Sequence, residues 1–215
     1  MLEILDTTLR EGEQTPYVNF TVDEKIEIAK MLDRIGVDMI EAGDPSVSPN
    51  VAKAIKHIAS LGLRAEIVAH SIASRPSIDR AKACGADRVA IFYATSNIHL
   101  DAKLHKTQKE ALEIIQEHVC YAKSLGLNVR YTPEDATRTD FDFLVEVCNT
   151  AIKAGADRIS FADTLGIMQP HLMFDQVRAL RKNLLPCKID LHCHDDYGLA
   201  LANSMAGIRG GANCI

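Results

Sequence analysis

The stretch Gly155-Ala156-Asp157-Arg158-Ile159-Ser160-Phe161-Ala162 shows the unit from which this chain is built: a glycine, a small residue, an acid or amide, and an apolar run. The glycine suits the left-handed turn that ends a helix. An apolar run without alternation is typical of a parallel strand covered by helices on both faces. The unit recurs at Gly36-Val37-Asp38, Gly85-Ala86-Asp87 and Gly211-Ala212-Asn213, and a second version at Ser60-Leu61-Gly62-Leu63 and Ser124-Leu125-Gly126-Leu127.

Helical patterns fill the intervals between these units. Thr21-Val22-Asp23-Glu24 is a capping-box sequence followed by apolar residues at helical spacing, and Thr107-Gln108-Lys109-Glu110 repeats it. Further helices are predicted over about 49–61, 75–84, 140–154, 171–184 and 198–209. Strands are predicted to start near 3, 38, 65, 88, 128, 158, 188 and 213.

This alternation predicts an α/β fold, a (β/α)8 TIM barrel of parallel strands. The alternative is a doubly wound open sheet, which usually has a glycine-rich phosphate loop after its first strand, where this chain has Arg10-Glu11-Gly12-Glu13. We expect residues 1–215 to be one barrel domain truncated within the eighth strand, without its last helix and C-terminal subdomains. The stretch from about 95 to 106 is predicted to be irregular, as an active-site loop or an ordinary connection.

Composition narrows the function classes. With 215 residues, 47% of them hydrophobic, the chain can form one sizeable globular domain. A net charge of -5 without a basic stripe argues against nucleic acid, and no apolar run approaches the ~20 residues of a membrane span. Six cysteines without a Cys-x-x-Cys pair indicate reduced thiols. We therefore expect a cytoplasmic protein with no nucleic-acid or membrane partner.

Two polar stretches follow predicted strands. Asp6-Thr7-Thr8-Leu9-Arg10-Glu11-Gly12-Glu13-Gln14 follows the first, and the seventh ends in His192-Cys193-His194-Asp195-Asp196. Residues two apart on a strand point to the same face, so His192 and His194 can direct two imidazoles at one point. We predict that Glu11, His192 and His194 bind one divalent metal, such as Zn, Mn, Mg, Co or Fe. The alternative is two histidines paired with neighbouring carboxylates.

An anionic substrate is predicted beside that metal. Arg10 and Arg130 lie at predicted strand ends, where a guanidinium can hold a carboxylate with two hydrogen bonds; the alternative is a surface charge. A metal that chelates a 2-oxo acid would polarise its carbonyl group. The remaining candidates are Thr132 and Thr164, which could hydrogen-bond the carboxylate, and His70 and Glu134, which could move or position protons. Core or rim roles are the alternative for the last two.

Four motifs resemble those of the metal-dependent Claisen-condensing and lyase superfamily, the DRE-TIM type. They are Asp6–Gln14, Glu134–Arg138, Ala162–Gly166 and His192–Gly198. The group includes homocitrate, 2-isopropylmalate and citramalate synthases and HMG-CoA lyase, and the resemblance covers essentially the whole chain. It implies the same catalytic barrel, metal ligands at Glu11, His192 and His194, and Arg10 near the reacting oxygen. It also implies a 2-oxo acid site lined by Gln14, His70, Arg130, Thr132, Glu134 and Thr164.

The implied reaction is condensation of acetyl-CoA with a 2-oxo acid followed by thioester hydrolysis, an acyltransferase reaction of amino-acid biosynthesis leading to lysine or leucine. The sequence around Glu11 and Asn19-Phe20 looks most like homocitrate synthases, which use 2-oxoglutarate. The 94–110 and 134–147 stretches look more like 2-isopropylmalate and citramalate synthases. Asp195, after the His-x-His pair, resembles the lyase, because the synthases commonly have Asn at that position. A non-enzymatic binding or assembly subunit is a further alternative. The full-length form is expected to be a homodimer, and the 215-residue chain alone is expected to have little synthase activity.

Overall fold

The computed structural model describes residues 2–215, in which strands and helices alternate along the chain. The strands are β1 (Leu5–Asp6), β2 (Met39–Gly43), β3 (Glu66–Ile72), β4 (Arg88–Ala94), β5 (Asn128–Glu134), β6 (Arg158–Asp163) and β7 (Lys188–Cys193). They form a seven-stranded sheet in chain order, with parallel pairing. Parallel strands in chain order with intervening helices are the arrangement of a TIM barrel. The predicted fold class is therefore confirmed for seven strands.

The predicted eighth strand is present only as an isolated parallel bridge between Asp190 and Cys214. Leu191 donates its N–H to the Cys214 carbonyl at 3.0 Å, and Asn213 donates to the Ile189 carbonyl at 2.7 Å. This pairing is too short to make a strand. The described residues therefore do not show the closed, eight-stranded sheet that the sequence predicts.

The helices follow the predicted pattern closely. They are α1 (Val22–Ile35), α2 (Pro49–Ala59), α3 (Arg75–Ala83), α4 (Asn97–His99), α5 (Gln108–Ser124), α6 (Phe141–Ala154), α7 (Pro170–Asn183) and α8 (Ala200–Gly210). The prediction that the stretch from 95 to 106 is irregular is wrong in part. It contains α4 and, directly after it, a π-helical turn over Leu100–Leu104.

Local capping explains why the helices begin and end where they do. At the start of α1, Thr21 Oγ1 accepts from the Glu24 N–H, and the Glu24 carboxylate accepts from the Thr21 N–H. Together these bonds satisfy two of the amide groups that a helix start leaves unpaired. At the end of α1, Gly36 adopts a left-handed φ of 89°, which a residue without a Cβ adopts without steric cost. The glycine units seen in the sequence therefore end helices as predicted.

The chain divides into two compact units. The first contains Glu3–Ile91 and Tyr121–Val129, and the second contains Leu2, Phe92–Cys120 and Arg130–Ile215. The core of the first unit is an apolar cluster made by β2, β3 and the helices that cover them, including Leu9, Ile26, Ile40, Ile55, Ile58 and Ile67. In the second unit, side chains from the strands and from α6 and α7 are buried, including Leu144, Val147, Ile159, Phe161, Val177 and Ile189.

Strand register sets which residues stand at the same level. In the first unit, Asp6 pairs with Ile40 and Glu41 pairs with Val68. In the second unit, Ala162 pairs with His192. Because parallel strands place their carboxyl ends at one edge of a sheet, each unit collects the polar residues that follow its strands at such an edge.

Candidate functional site

The two histidines at the end of β7 converge as the sequence predicts. The Nε2 atoms of His192 and His194 lie 3.0 Å apart, and their rings meet edge to face with centroids separated by 4.9 Å. Cys193 points to the other side, where Ser204 of α8 hydrogen-bonds its thiol, and burial raises the pKa of that thiol to about 11. Cys193 therefore stays protonated at neutral pH, which leaves the two imidazoles as the groups of this strand that could hold a metal.

A backbone carbonyl fixes the tautomer of His194. Its Nδ1 lies 2.7 Å from the carbonyl oxygen of Thr164. A carbonyl oxygen only accepts, so Nδ1 carries the proton and Nε2 of the neutral ring presents a lone pair. A hydrogen bond from one ring nitrogen to a carbonyl is the usual way in which proteins orient a metal-binding imidazole. The donor set and its orientation therefore fit a divalent cation.

The turn after β6 supports this histidine. The buried Asp163 carboxylate accepts from the N–H groups of Ile167 at 3.1 Å and Met168 at 3.0 Å, which closes the turn. Gly166 has a φ of 61°, and a Cβ there would lie 2.8 Å from the Asp196 backbone nitrogen. The glycine thus allows this turn to approach the loop after β7 closely. The motif Ala162–Gly166 serves to hold the Thr164 carbonyl in place.

In the first unit, residues after β1 and residues on β2 and β3 form a chain of charged contacts. Arg10 Nε donates to Glu41 Oε2 at 2.8 Å, and its Nη1 contacts the Glu11 carboxylate. Glu41 is fully buried, and its other oxygen lies 2.9 Å from His70 Nδ1. Burial lowers the pKa of the Arg10 guanidinium, but Glu41 and then Glu11 raise it by more, so that it lies above its ordinary value. Arg10 is a permanent cation beside Glu11.

Arg130 lies in the interior of the second unit. It is 2% exposed, donates from Nε to Asp190 Oδ2 at 3.0 Å, and donates from Nη2 to Ser160 Oγ at 2.6 Å. Arg158 donates from Nε to the same carboxylate at 3.1 and 3.0 Å. The guanidiniums of Arg130 and Arg158 thus both bind the buried Asp190 carboxylate.

Three other predicted substrate residues differ in their surroundings. Thr132, on β5, is 8% exposed, and its hydroxyl has no hydrogen-bond partner. A buried unpaired hydroxyl costs about 1–3 kcal/mol, which a polar ligand can offset. Gln14 is exposed and is the last residue of a short 3-10 turn over Gly12–Gln14. Thr164 uses its hydroxyl to accept the Asp135 N–H at 2.9 Å.

Glu134, at the end of β5, has partners that sequence patterns do not indicate. Lys103 Nζ lies 2.8 and 3.1 Å from its two carboxylate oxygens. His99 Nδ1 lies 3.8 Å from Glu134 Oε1 and 3.9 Å from Asp135 Oδ2. Both partners belong to the α4 and π-turn segment that the sequence predicted to be irregular. A capping or periodicity signal could not identify them.

The architecture defines a class: a parallel α/β protein of the TIM-barrel type with histidines and carboxylates at the carboxyl ends of its strands. The chain matches the HMGL-like family over residues 1–215 and belongs to that family. This confirms the resemblance to the Claisen-condensing and lyase superfamily.

Curated relatives give the particular similarity. The chain is 51% identical over 216 residues to a homocitrate synthase of Sulfurisphaera tokodaii, covering 99% of this chain and 47% of that protein. The same identity and coverage hold for a homocitrate synthase of Saccharolobus solfataricus. The chain therefore spans about half the length of the curated relatives it matches.

Solved structures agree on the fold. An HMG-CoA lyase of Bacillus subtilis is 22% identical, with a TM-score of 0.85, over 99% of this chain and 75% of that one. An HMG-CoA lyase of Pseudomonas aeruginosa is 22% identical, with a TM-score of 0.81, over 99% and 74%. Within residues 2–215, none of the helices combines the length and hydropathy needed to cross a membrane.

Proposed function

We propose that the protein containing this chain is an acyltransferase that condenses acetyl-CoA with 2-oxoglutarate to give homocitrate, with residues 1–215 as the catalytic barrel domain. The observation that carries this proposal is the 51% identity to homocitrate synthases across 99% of the chain. A reaction of this kind needs a site for an anionic 2-oxo acid, a polarised carbonyl and groups that move protons. The chain offers residues for each of these tasks.

We assign the metal to Glu11, His192 and His194, which by residue type provide one carboxylate and two imidazoles. The short Nε2–Nε2 distance of 3.0 Å and the carbonyl bond to His194 support this assignment. When bound, a divalent cation would polarise the carbonyl group of the 2-oxo acid as a Lewis acid. Two imidazoles and a carboxylate leave coordination positions for substrate and water, and Zn, Mn, Mg and Co all remain compatible with them.

Arg10 is assigned to the oxygen on which negative charge develops. It is a permanent cation held by Glu41, so it does not have to reorganise during the reaction. The other residues assigned to the 2-oxo acid are Gln14, His70, Arg130, Thr132 and Thr164. The guanidinium of Arg130 and the unpaired hydroxyl of Thr132 support a ligand that accepts and donates hydrogen bonds.

Proton movement is assigned to Glu134 and His70. The condensation needs a base that removes a proton from the acetyl methyl group and an acid that protonates the new alkoxide. Glu134 presents a carboxylate at the end of β5, and His70 is oriented by the buried Glu41 carboxylate through a 2.9 Å contact. We further propose a cytoplasmic location, in keeping with six cysteines that form no disulfide in the described residues. We also propose that the full-length form is a homodimer.

A panel of 2-oxo acids tests the substrate. Thiol release from acetyl-CoA is measured with 2-oxoglutarate, 2-oxoisovalerate and pyruvate, with and without added divalent metal, on the longest polypeptide that contains this chain. We expect metal-dependent release with 2-oxoglutarate in preference to the other two acids. Preference for 2-oxoisovalerate or pyruvate would indicate 2-isopropylmalate or citramalate synthesis. Cleavage of a hydroxyacyl-CoA without any 2-oxo acid would indicate a lyase.

Metal analysis of histidine variants tests the metal site without any assay of turnover. The unaltered 215-residue chain should bind about one divalent ion, and His192→Ala or His194→Ala should reduce its affinity at least about 100-fold because each removes one ligand. His57→Ala, which changes an exposed histidine on α2, is the matched control. Equal metal affinity in all four proteins would contradict the assignment.

A further inference from the structure

We infer that Lys103, on the π-helical turn, is the positioning residue for the Glu134 carboxylate and thereby sets how well Glu134 can act on a substrate. The catalytic part of this inference rests on the proposed function. The contact itself is open to measurement without turnover. Nothing in the sequence motifs singles out Lys103, which lies 31 residues from Glu134.

The Lys103 ammonium contacts both carboxylate oxygens of Glu134. Lys103 Nζ lies 2.8 Å from one oxygen of Glu134 and 3.1 Å from the other, so the ammonium faces the whole carboxylate. The Glu134 side chain is 21% exposed, whereas that of Lys103 is 51% exposed. The carboxylate is therefore the more enclosed partner, and its orientation is the one that the contact restricts. A carboxylate that must reach a reacting proton gains from losing its other rotamers before the substrate arrives.

The backbone on both sides of this contact is unusual. Lys103 lies in the π-helical turn Leu100–Leu104, and π-helical turns are frequent at functional sites. His105, which ends that turn, has a φ of 52°, and Asp135, which follows Glu134, has a φ of 64°. Left-handed conformations at non-glycine residues are energetically unfavourable and persist where surrounding structure enforces them. The segments on both sides of the contact therefore each contain a residue in an energetically unfavourable backbone conformation.

Buried polar atoms without hydrogen bonds are concentrated in the same part of the second unit. Within residues 2–215, seven such side-chain atoms occur, and four of them belong to Ser96, His99, Thr132 and Thr137. These residues lie within the 96–99 and 132–137 segments, which also flank Lys103 and Glu134 in sequence. Unpaired buried donors and acceptors are costly, and a bound polar ligand or water satisfies them. This second observation supports a site for a polar ligand or water near the carboxylate that Lys103 orients.

His99 and Asp135 complete the charged surroundings of Glu134. His99 Nδ1 lies between the two carboxylates at 3.8 and 3.9 Å, which is too long for a direct hydrogen bond and suits a bridging water. The Asp135 carboxylate is held by Arg138, whose Nε lies 2.8 and 2.9 Å from its two oxygens. Asp135 is therefore paired with Arg138, and Glu134 is paired with Lys103.

A contact measurement tests the geometry. The acetylation rate of Lys103 by limiting acetic anhydride is followed by mass spectrometry in the 215-residue chain and in Glu134→Gln, with the exposed Lys109 as internal control. Loss of the ion pair should raise the Lys103 rate about threefold and leave the Lys109 rate unchanged. An unchanged Lys103 rate would overturn the inference.

A kinetic measurement tests the role. The variants are made in the longest polypeptide that contains this chain. Lys103→Met should lower kcat about tenfold with little change in the KM for the 2-oxo acid. Lys103→Arg should recover most of the loss because arginine also presents two donors to a carboxylate. Lys109→Met is the matched control. Equal kcat in Lys103→Met and the unaltered protein would refute the role of Lys103 and leave the proposed function standing. If the unaltered protein turns over no 2-oxo acid, the proposed function fails, and the acetylation result alone decides whether Lys103 holds Glu134.

Discussion

Asp190 is a buried counter-charge for two arginines in the interior of the second unit. It is 0% exposed and receives hydrogen bonds from both Arg130 and Arg158, which are also buried. A buried ion cluster adds little net stability, but removing one partner leaves the other charges desolvated and unpaired. Loss of the Asp190 carboxylate is therefore expected to destabilise this unit.

We expect Asp190→Asn to lower the free energy of unfolding by about 3–5 kcal/mol, because the buried guanidiniums of Arg130 and Arg158 lose a counter-charge that they share. Urea denaturation followed by circular dichroism measures the change. Asp175→Asn, at an exposed position on α7, is the control and should change the value by less than about 0.5 kcal/mol. A loss below about 1 kcal/mol in Asp190→Asn would show that the cluster is solvated or rearranges.

Among single residues, local contacts could be predicted from the sequence, whereas contacts between distant positions could not. The histidine pair could be predicted because alternation along one strand places both rings on one face. The partners of Arg130 could not, since nothing local tells which aspartate lies two strands away. Its contacts with Ser160 and Asp190 span 30 and 60 residues. Whether Arg130 also binds a substrate stays a prediction.

At the scale of secondary-structure elements, the start of α5 combines two stabilising devices. The Glu110 carboxylate accepts from the Thr107 N–H at 2.8 Å, and Lys106 Nζ lies 2.9 Å from its other oxygen. The Thr107 bond first, and then Lys106, lower the pKa of Glu110 to about 2. A carboxylate whose pKa is lower in the folded state stabilises the fold above its unfolded pKa, and this stabilisation is lost as pH falls through the folded value.

Glu110→Gln should therefore reduce the midpoint of thermal unfolding at pH 7, and the difference from the unaltered chain should shrink as pH falls from about 4.5 towards about 2. Calorimetry at several pH values measures it. Glu113→Gln, at an exposed pair one turn further along α5, should show a smaller effect at pH 7. A difference that stays constant or grows on acidification would contradict the role of Glu110.

Most elements could be predicted because their signals are local. Capping boxes and terminal glycines mark helix ends, and apolar runs mark buried strands. The π-helical turn Leu100–Leu104 was not predictable, because its sequence has no cap and no clear period. Such a turn is stabilised by its surroundings rather than by propensity.

At the scale of the whole chain, the last described residues are tied to the sheet by one arginine. Arg181 on α7 donates to the Cys187 carbonyl at 2.7 Å and to the Gly211 carbonyl at 2.8 Å, and it also contacts Asn213 Oδ1. Asn213 in turn accepts from the Ile189 N–H at 3.0 Å. One side chain thus supports the short pairing beside β7.

We expect Arg181→Met to increase the hydrogen-exchange rates of the Leu191 and Asn213 amides about tenfold, because the pairing beside β7 loses its support. NMR or mass spectrometry detects the change, and amides in α1 should exchange as before. Lys182→Met, at the adjacent exposed cation, is the control. Unchanged exchange at Asn213 would show that the backbone pairing holds without Arg181.

Thr164 has a consequence for how this protein can change over time. Its hydroxyl accepts from the backbone of Asp135, and its carbonyl accepts from His194. A substitution selected for a new substrate in the loop after β5 would therefore also shift the orientation of an imidazole after β7. Adaptation of one loop would have to be accompanied by compensating changes in the others, which constrains the order in which mutations can accumulate in this family.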